Sequence, residues 1–350
     1  MNAILQCLIH ISELSTYFLY EYPKDKATLN FKNKYIPSRG SMSEAYYEII
    51  KEINKISENK STFRYNSYSL YSSYNSYGSY SSYNSYAPYD FKKTLGRNNS
   101  QFSRYEANDS KDLILYLLQT FHEELNYFGD QVIPGNIALP NQSFREYTFN
   151  YFCTTYNIKN FSKISQLFYG TYENVVKCDK CKISFYSYQK FEFISLSTYK
   201  YRYRSFNIMD GFEDFVQINK LKGNNQYYCK KCRKLVDAEI YTKIIQPPLK
   251  LVLNIDYGKN KINDVDKLIF NQYIDITKFM VPDYGKSVQY RLCAVCTHIG
   301  ASGSGGHYVA FCRNNENGNW YKFNDSSCSI SDGYSLSNNS PYILIYELIL

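Results

Sequence analysis

An α+β fold is predicted for this chain, with helices in its first half and a mostly antiparallel sheet in its second. Three observations predict it. Apolar residues recur at helical spacing across residues 2–19, 42–57 and 109–128. From Phe168 onward the pattern turns to alternation, in long segments such as KISFYSYQKFEFISLSTY and SVQYRLCAVC. Two hydrophilic CxxC pairs stand inside that strand-rich half, each after a strand-like run.

Residues 2–19 read as one helix, with Ile4, Leu5, Leu8, Ile11, Leu14 and Phe18 on its apolar face. No capping residue or entry strand stands ahead of it, which reads as a domain entered part-way. Cys7 and His10 share a helix face at i, i+3 and are expected to pack. Residues 42–57, MSEAYYEIIKEINKIS, give a second amphipathic helix. From Tyr65 to Tyr89 a Tyr then stands at every third position, among Ser and Asn. That period fits neither strand nor α-helix, so residues 60–104 read as a disordered insertion. Residues 109–128 carry the strongest helical pattern, capped by Asp109 or Ser110 and striped by Leu113, Ile114, Leu117, Leu118, Phe121 and Leu125. His122 and Glu123 point to different faces there and make a poor acid/base pair. Residues 130–145 read as a loop and 147–169 as mixed helix.

The chain has 350 residues, ten cysteines and a formal charge of +8. No apolar run approaches the roughly 18 residues of a membrane span, and the start, MNAILQCLIHISEL, lacks a basic n-region and a small-residue cleavage site, so it is not read as a signal peptide. Lysines are spread without a block of like charge, so neither nucleic acid nor membrane is expected as a partner.

Four of the cysteines form matched knuckles, CDKC (Cys178, Cys181) and CKKC (Cys229, Cys232). Four thiolates make a closed tetrahedral set, which points to one structural zinc ion. The long interval between the pairs implies a hairpin extension with its own strands. Cys293 and Cys296 repeat the spacing inside an apolar strand, where i and i+3 face opposite ways, so they are not read as ligands. Cys312 and Cys328 read as structural. Cysteines in such contexts fit a reducing compartment, cytoplasm or nucleus, better than a disulfide framework.

The stretch from Tyr290 to Asp325 concentrates the remaining chemistry. A strand breaks into a Ser/Gly loop, Gly300–Gly306, and His307 heads the next strand. A third strand, WYKFN, ends at Asn324 and Asp325. Neighbouring strands lie about 5 Å apart, so the ends of such a hairpin can bring a base, His307, to an orienting Asn324 or Asp325. This is two thirds of a nucleophile–His–Asn/Asp triad.

At this point the residues resemble the ubiquitin-specific proteases, a family of deubiquitinating cysteine peptidases. YRLCAVCTHIGASGSGGHYVAFCR with NWYKFNDSSCSIS resembles that family's His box, and PYILIYEL resembles its closing strand. NDSKDLILYLLQTFHEELN resembles its acidic-motif helix, although Ala107 and Asn108 stand where the family usually has glutamines. Asp256-Tyr257 likewise replaces a usual Arg-Phe. MNAILQCL resembles the second half of the Cys box, whose nucleophile would lie two positions upstream of Met1.

The resemblance implies a papain-like fold: a helical thumb, an antiparallel-sheet palm and zinc-bearing fingers. It implies thumb over 1–59 and 105–167, fingers with palm over 168–255, and palm with the His box over 256–350. By position His307 would be the general base, and Asn324 the orienter with Asp325 as second candidate. Asp109 and Asp112 would meet the arginines of the ubiquitin tail, and Gly305 and Gly306 would cover its Gly-Gly end. The implied activity is hydrolysis of isopeptide or ester bonds after the C-terminal glycine of ubiquitin. Ubiquitin and ubiquitin-conjugated proteins would be the partners. Because Cys7 lies about 12 Å along the helix from the family position, the chain as written is expected not to cleave them. The alternative is a non-catalytic ubiquitin-binding pseudoenzyme or scaffold.

Overall fold

The computed structural model describes residues 1–29, 37–58, 69–70, 85–104, 108–127, 143–258, 265, 267–302, 305–331 and 340–350. The helical half begins with α1 (Asn2–Ile9), α2 (Ser12–Thr16), a π-helical turn (Tyr17–Glu21) and α3 (Tyr22–Asp25). The single helix expected over residues 2–19 is therefore broken. Ile11 is extended (φ −84°, ψ 99°), and Ser15 Oγ donates to the freed carbonyl of Ile9 at 2.6 Å. The break lets α1 lie along the sheet while Phe18 turns away to pack on Tyr46 and Phe121.

Next come α4 (Ser41–Glu58), a pair of two-residue strands (β1, Ser69–Leu70; β2, Ser85–Tyr86), α5 (Tyr89–Asn98) and α6 (Ser110–Glu124). The helix α5 corrects the expected insertion. Phe91, Leu95 and Phe102 are buried, so helical structure packed on the core resumes well before residue 104. Their spacing was hidden beside the Tyr/Ser repeat; residues 59–68 and 71–84 of that repeat lie outside the described residues, as does most of the expected 130–145 loop. A Ser143/Glu146 capping box starts α7 (Phe144–Lys159), earlier than the pattern implied, and α8 (Lys163–Phe168) follows.

Glu124, at the end of α6 and 2% exposed, accepts from the backbone N–H groups of Met42 (3.1 Å) and Ser43 (2.6 Å). A buried acid thus caps the N-terminus of α4, where the first-turn donors lack partners and the dipole favours negative charge.

The second half is sheet. β3 (Gly170–Cys178), β4 (Ser184–Phe191), β7 (Asn219–Leu221) and β10 (Ala238–Gln246) form an antiparallel sheet in the order β4-β3-β10-β7. A ribbon of β8 (Tyr227–Cys229) and β9 (Lys234–Val236) extends it. The larger sheet runs β17-β16-β15-β14-β18-β11-β5. Its strands are β5 (Ile194–Ser197), β11 (Lys250–Asp256), β14 (Gln289–Ser302), β15 (Gly305–Arg313), β16 (Trp320–Asn324), β17 (Ser327–Ser331) and β18 (Ser340–Leu348), with β13 (Tyr273–Asp275) on β14.

Alternation gives this sheet two apolar faces. Ala294, Cys296, Ala310, Cys312 and Phe323 join the helices in one core. Val295, Val309, Phe311 and Trp320 join α9 (Ile208–Phe215) in the other. The small residues on the first face let α1 sit close to β15. The architecture is the α+β arrangement expected. Arg145 of α7 ties the parts together, pairing in a fork with Glu173 of β3 (2.6 and 2.9 Å) and with Asp283 beside the larger sheet (2.7 Å).

Candidate active site and metal centre

The strand β15 carries His307, and β16 ends at Asn324. Antiparallel pairing of Ala310 with Phe323 sets the register that brings these two strand ends level. His307 Nε2 lies 2.6 Å from Asn324 Oδ1 and 3.6 Å from Asp325 Oδ2. An amide oxygen only accepts, so Nε2 carries the proton and Nδ1 keeps the basic lone pair. Asp325 opens the two-residue turn into β17 with a positive φ of 49°. Asn2, in the first turn of α1, donates from Nδ2 to Asp325 Oδ1 at 3.3 Å. The His/Asn/Asp group thus faces the N-terminal turn of α1.

A cavity of about 760 Å³ opens there, between Met1–Ile4, α5, residues 108–110 and Gly306–Tyr308. Asp109 caps α6 through the backbone N–H of Lys111 (2.8 Å) and also accepts from the Tyr342 hydroxyl (2.7 Å). It lines the cavity. Asp112 is exposed outside the lining and is held by Gln101 at 3.0 Å, so only the first of the two expected acids is brought to the site. Gly305 pairs with Ser302 at the start of β15, and Gly306 lines the cavity.

Gly306 has a specific steric duty. A Cβ there would sit 2.0 Å from His298 Nε2. His298 of β14 lies over Gly306 and meets Tyr308 edge-on at 4.9 Å. Burial lowers its pKa, with Asp109 opposing and His307 adding to the shift. His298, Asn2 and Tyr342 were not singled out from the sequence. The one available signal was that His298 precedes the Ser/Gly loop as His307 follows it.

Among the described residues that line the cavity there is no cysteine. Cys7 is fully buried, its thiol pushed up by a hydrogen bond with Cys312 and by burial, so it packs as expected and is no nucleophile. Burial also raises the thiols of Cys153, Cys293 and Cys296. His10 packs on Phe323 at 4.8 Å. Asp256 and Tyr257, where the motif departs from expectation, are accommodated: the Tyr257 hydroxyl donates to the Pro341 carbonyl at 2.9 Å.

The second site is the cysteine cluster at the end of the smaller sheet. The sulfurs of Cys178, Cys181, Cys229 and Cys232 lie within 4.8 Å of one another. Cys178 and Cys232 are 3.9 Å apart, Cys181 and Cys229 3.8 Å. Tetrahedral ligands at about 2.3 Å from one zinc ion would stand about 3.8 Å apart, so the group fits such an ion. The two knuckles are built alike. In each, the second cysteine's backbone N–H donates to the first cysteine's sulfur at 3.4 Å. Each then closes on a left-handed residue, Lys182 (φ 57°) or Arg233 (φ 55°). The hydrogen bond from the Cys181 backbone lowers the Cys178 thiol to about 7, while burial raises that of Cys232 to about 12, so the four thiols do not ionise alike without an ion among them.

A family model described as ubiquitin carboxyl-terminal hydrolase matches residues 1–346. Ubiquitin carboxyl-terminal hydrolase 5 of Saccharomyces cerevisiae is 27% identical over 373 residues, covering 100% of this chain and 43% of that protein. Ubiquitin carboxyl-terminal hydrolase 2 of Rattus norvegicus is 26% identical over 353 residues, covering 99% of this chain and 52% of that protein. The chain thus spans about half the length of these relatives. The SAGA Ubp8/Sgf11/Sus1/Sgf73 module bound to ubiquitin aldehyde shares the fold, with a TM-score of 0.69, 21% identity, and coverage of 100% of this chain and 67% of that one. The same module bound to monoubiquitin gives a TM-score of 0.70 at 19% identity, covering 100% of this chain and 66% of that one.

Proposed function

Since this chain belongs to the ubiquitin carboxyl-terminal hydrolase family, we propose that its cavity receives the C-terminal tail of ubiquitin and serves thiol-dependent hydrolysis after the terminal glycine. The observation that carries this reading is the 2.6 Å contact of His307 Nε2 with Asn324 Oδ1, facing the first turn of α1. Asn324 holds the imidazole with Nδ1 free, and Nδ1 is the atom that takes the proton of a thiol and later returns it to the leaving amine. The nucleophile of this reading would be a cysteine at the position the family motif gives, two residues ahead of Met1. Its neighbourhood at the start of α1 suits a thiolate, because a helix N-terminus favours negative charge.

Asp325, held by Asn2, adds a carboxylate that stabilises the imidazolium formed after proton transfer. Asp109 meets an arginine of the incoming tail while its other oxygen continues to cap α6. Asp112 acts at the outer edge of that path. Gly305 and Gly306 leave room for a narrow Gly-Gly segment. The four cysteines hold a structural zinc ion that fixes the far end of the smaller sheet, and the partners are ubiquitin and proteins conjugated to it, in cytoplasm or nucleus.

A second reading is a ubiquitin-binding protein without turnover; among the described residues that line the cavity there is no cysteine. One experiment addresses both. Ubiquitin is titrated calorimetrically into the protein, and release of a fluorophore from the ubiquitin C-terminus is followed in parallel. Turnover by the protein carrying a cysteine at the motif's position ahead of Met1, lost in His307→Ala, supports the hydrolase; ubiquitin binding without turnover by that same extended protein supports the second reading. Absence of ubiquitin binding overturns both.

A further inference from the structure

The cavity beside His307 is divided by charge. Among the described residues, its acidic lining is Asp109 and Asp325, from the start of α6 and the β16–β17 turn. Its basic lining is Lys92, Lys93, Arg97 and Arg104, from α5 and the segment that follows. Met1 to Ile4 contribute the first turn of α1 to the same space.

The basic wall is rigid. Lys92 Nζ donates to the carbonyls of Phe102 and Arg104, which pins α5 to the segment after it. Gly96 brings the two together so closely that a Cβ there would meet Ser103 Cα at 2.8 Å. Phe91 and Leu95 anchor the helix in the core from behind. On the opposite face, Tyr89, Lys93 and Arg97 follow at i, i+4 and i+8 and line the cavity, with both cations exposed. They form one stripe held on a regular element rather than on a loop.

A basic ubiquitin tail takes the acidic wall and is repelled by this one. The wall that carries Lys93 and Arg97 is left to suit negative charge. Resting on the reading given under Proposed function, we propose that Lys93 and Arg97 receive an acidic segment of the protein to which ubiquitin is attached, so that conjugates carrying Asp or Glu near the modified lysine are favoured. Charges at an exposed rim govern selectivity and encounter more than raw affinity. The preference is accordingly modest and sensitive to salt.

The test uses ubiquitin joined at its C-terminal glycine, through a linkage that cannot be hydrolysed, to a twelve-residue peptide that is acidic or neutral. Each conjugate, and ubiquitin alone, is titrated into the wild-type protein, K93E/R97E, K93A/R97A and a charge-matched control, K24E/K267E. The acidic conjugate is expected to bind the wild type about three- to tenfold more tightly than the neutral one at low ionic strength. That advantage disappears in K93E/R97E, shrinks in K93A/R97A, persists in K24E/K267E, and fades at high salt. Melting temperatures recorded alongside verify that each variant folds. Ubiquitin binding with no advantage for the acidic conjugate, or an advantage unchanged in K93E/R97E, overturns this inference and leaves the hydrolase reading standing. No binding of ubiquitin in any form overturns both.

Discussion

Asn2 Nδ2 donates to Asp325 Oδ1 at 3.3 Å, joining the first turn of the chain to the turn after β16. The bond holds the carboxylate beside His307 and fastens α1 to the larger sheet at the site itself. Asn2→Ala removes the donor and is expected to cost about 1 kcal/mol in urea unfolding. Asn2→Asp sets two carboxylates together and is expected to cost more, with the excess vanishing once both are protonated at low pH. Equal effects of the two variants at every pH would contradict this account.

Gly306→Ala places a methyl group where the His298 ring stands. The expected cost is about 1–3 kcal/mol, as for other overpacked positions, together with weaker ubiquitin binding as His307 shifts. The relief should be specific: His298→Ala combined with Gly306→Ala should lose less stability than the sum of the two single changes. A double-mutant cycle measures this directly.

Glu124→Ala leaves the N–H groups of Met42 and Ser43 buried without an acceptor. The expected loss is about 2 kcal/mol or more, above that of an exposed cap. Glu124→Gln keeps one acceptor oxygen and should lose less. Chemical denaturation with circular dichroism of both variants gives the comparison.

His122, with Nδ1 2.7 Å from Ser162 Oγ, has its pKa lowered by burial to about 4. The unfolded chain takes up this proton near pH 6.5 and the folded chain does not. The contribution to stability is therefore complete above pH 6.5 and is lost as pH falls toward 4, by about 3 kcal/mol in all. His10, also lowered to about 4 by burial, acts in the same direction. His122→Asn should flatten the decline in unfolding free energy between pH 7 and pH 4.5; an unchanged slope would exclude His122 as its source.

Chelation and refolding with metal test the cysteine cluster. About one zinc ion per chain is expected by elemental analysis, and none in Cys178→Ser/Cys229→Ser. Metal removal should lower the melting temperature by loosening the smaller sheet. Full stability in the presence of a strong chelator would argue against a structural ion.

The sequence disclosed those features that rest on local spacing. The alternation of β14 to β16, the stripe on α6 and the paired knuckles each follow from a period or an interval. The His307–Asn324 contact was legible because a hairpin register brings strand ends together. Features made by distant parts were not. The break at Ile11 exists because Phe18 has to reach Tyr46 and Phe121, which no local pattern reveals. The Glu124 cap joins residues 81 and 82 positions apart. The helix α5 was obscured because the neighbouring Tyr repeat dominated the window in which Phe91 and Leu95 sit. Asp109 and Asp112 looked equivalent by motif, yet a helix start turns one into the cavity and the other outward.

The cap on α4 has one more outcome. Glu124 grips the start of α4 from the end of α6, and Asn98 at the end of α5 donates from Nδ2 to Ser41 Oγ at 2.9 Å. The acidic wall at Asp109 and the basic wall at Lys93 are thereby bolted to a single strut. The spacing between the two charges is thus set within the helical half, with Tyr342 of β18 holding Asp109 from the sheet side. Separation of the helices from the sheet would leave that spacing unaltered and would move Asp325, which stands on the sheet side of the cavity.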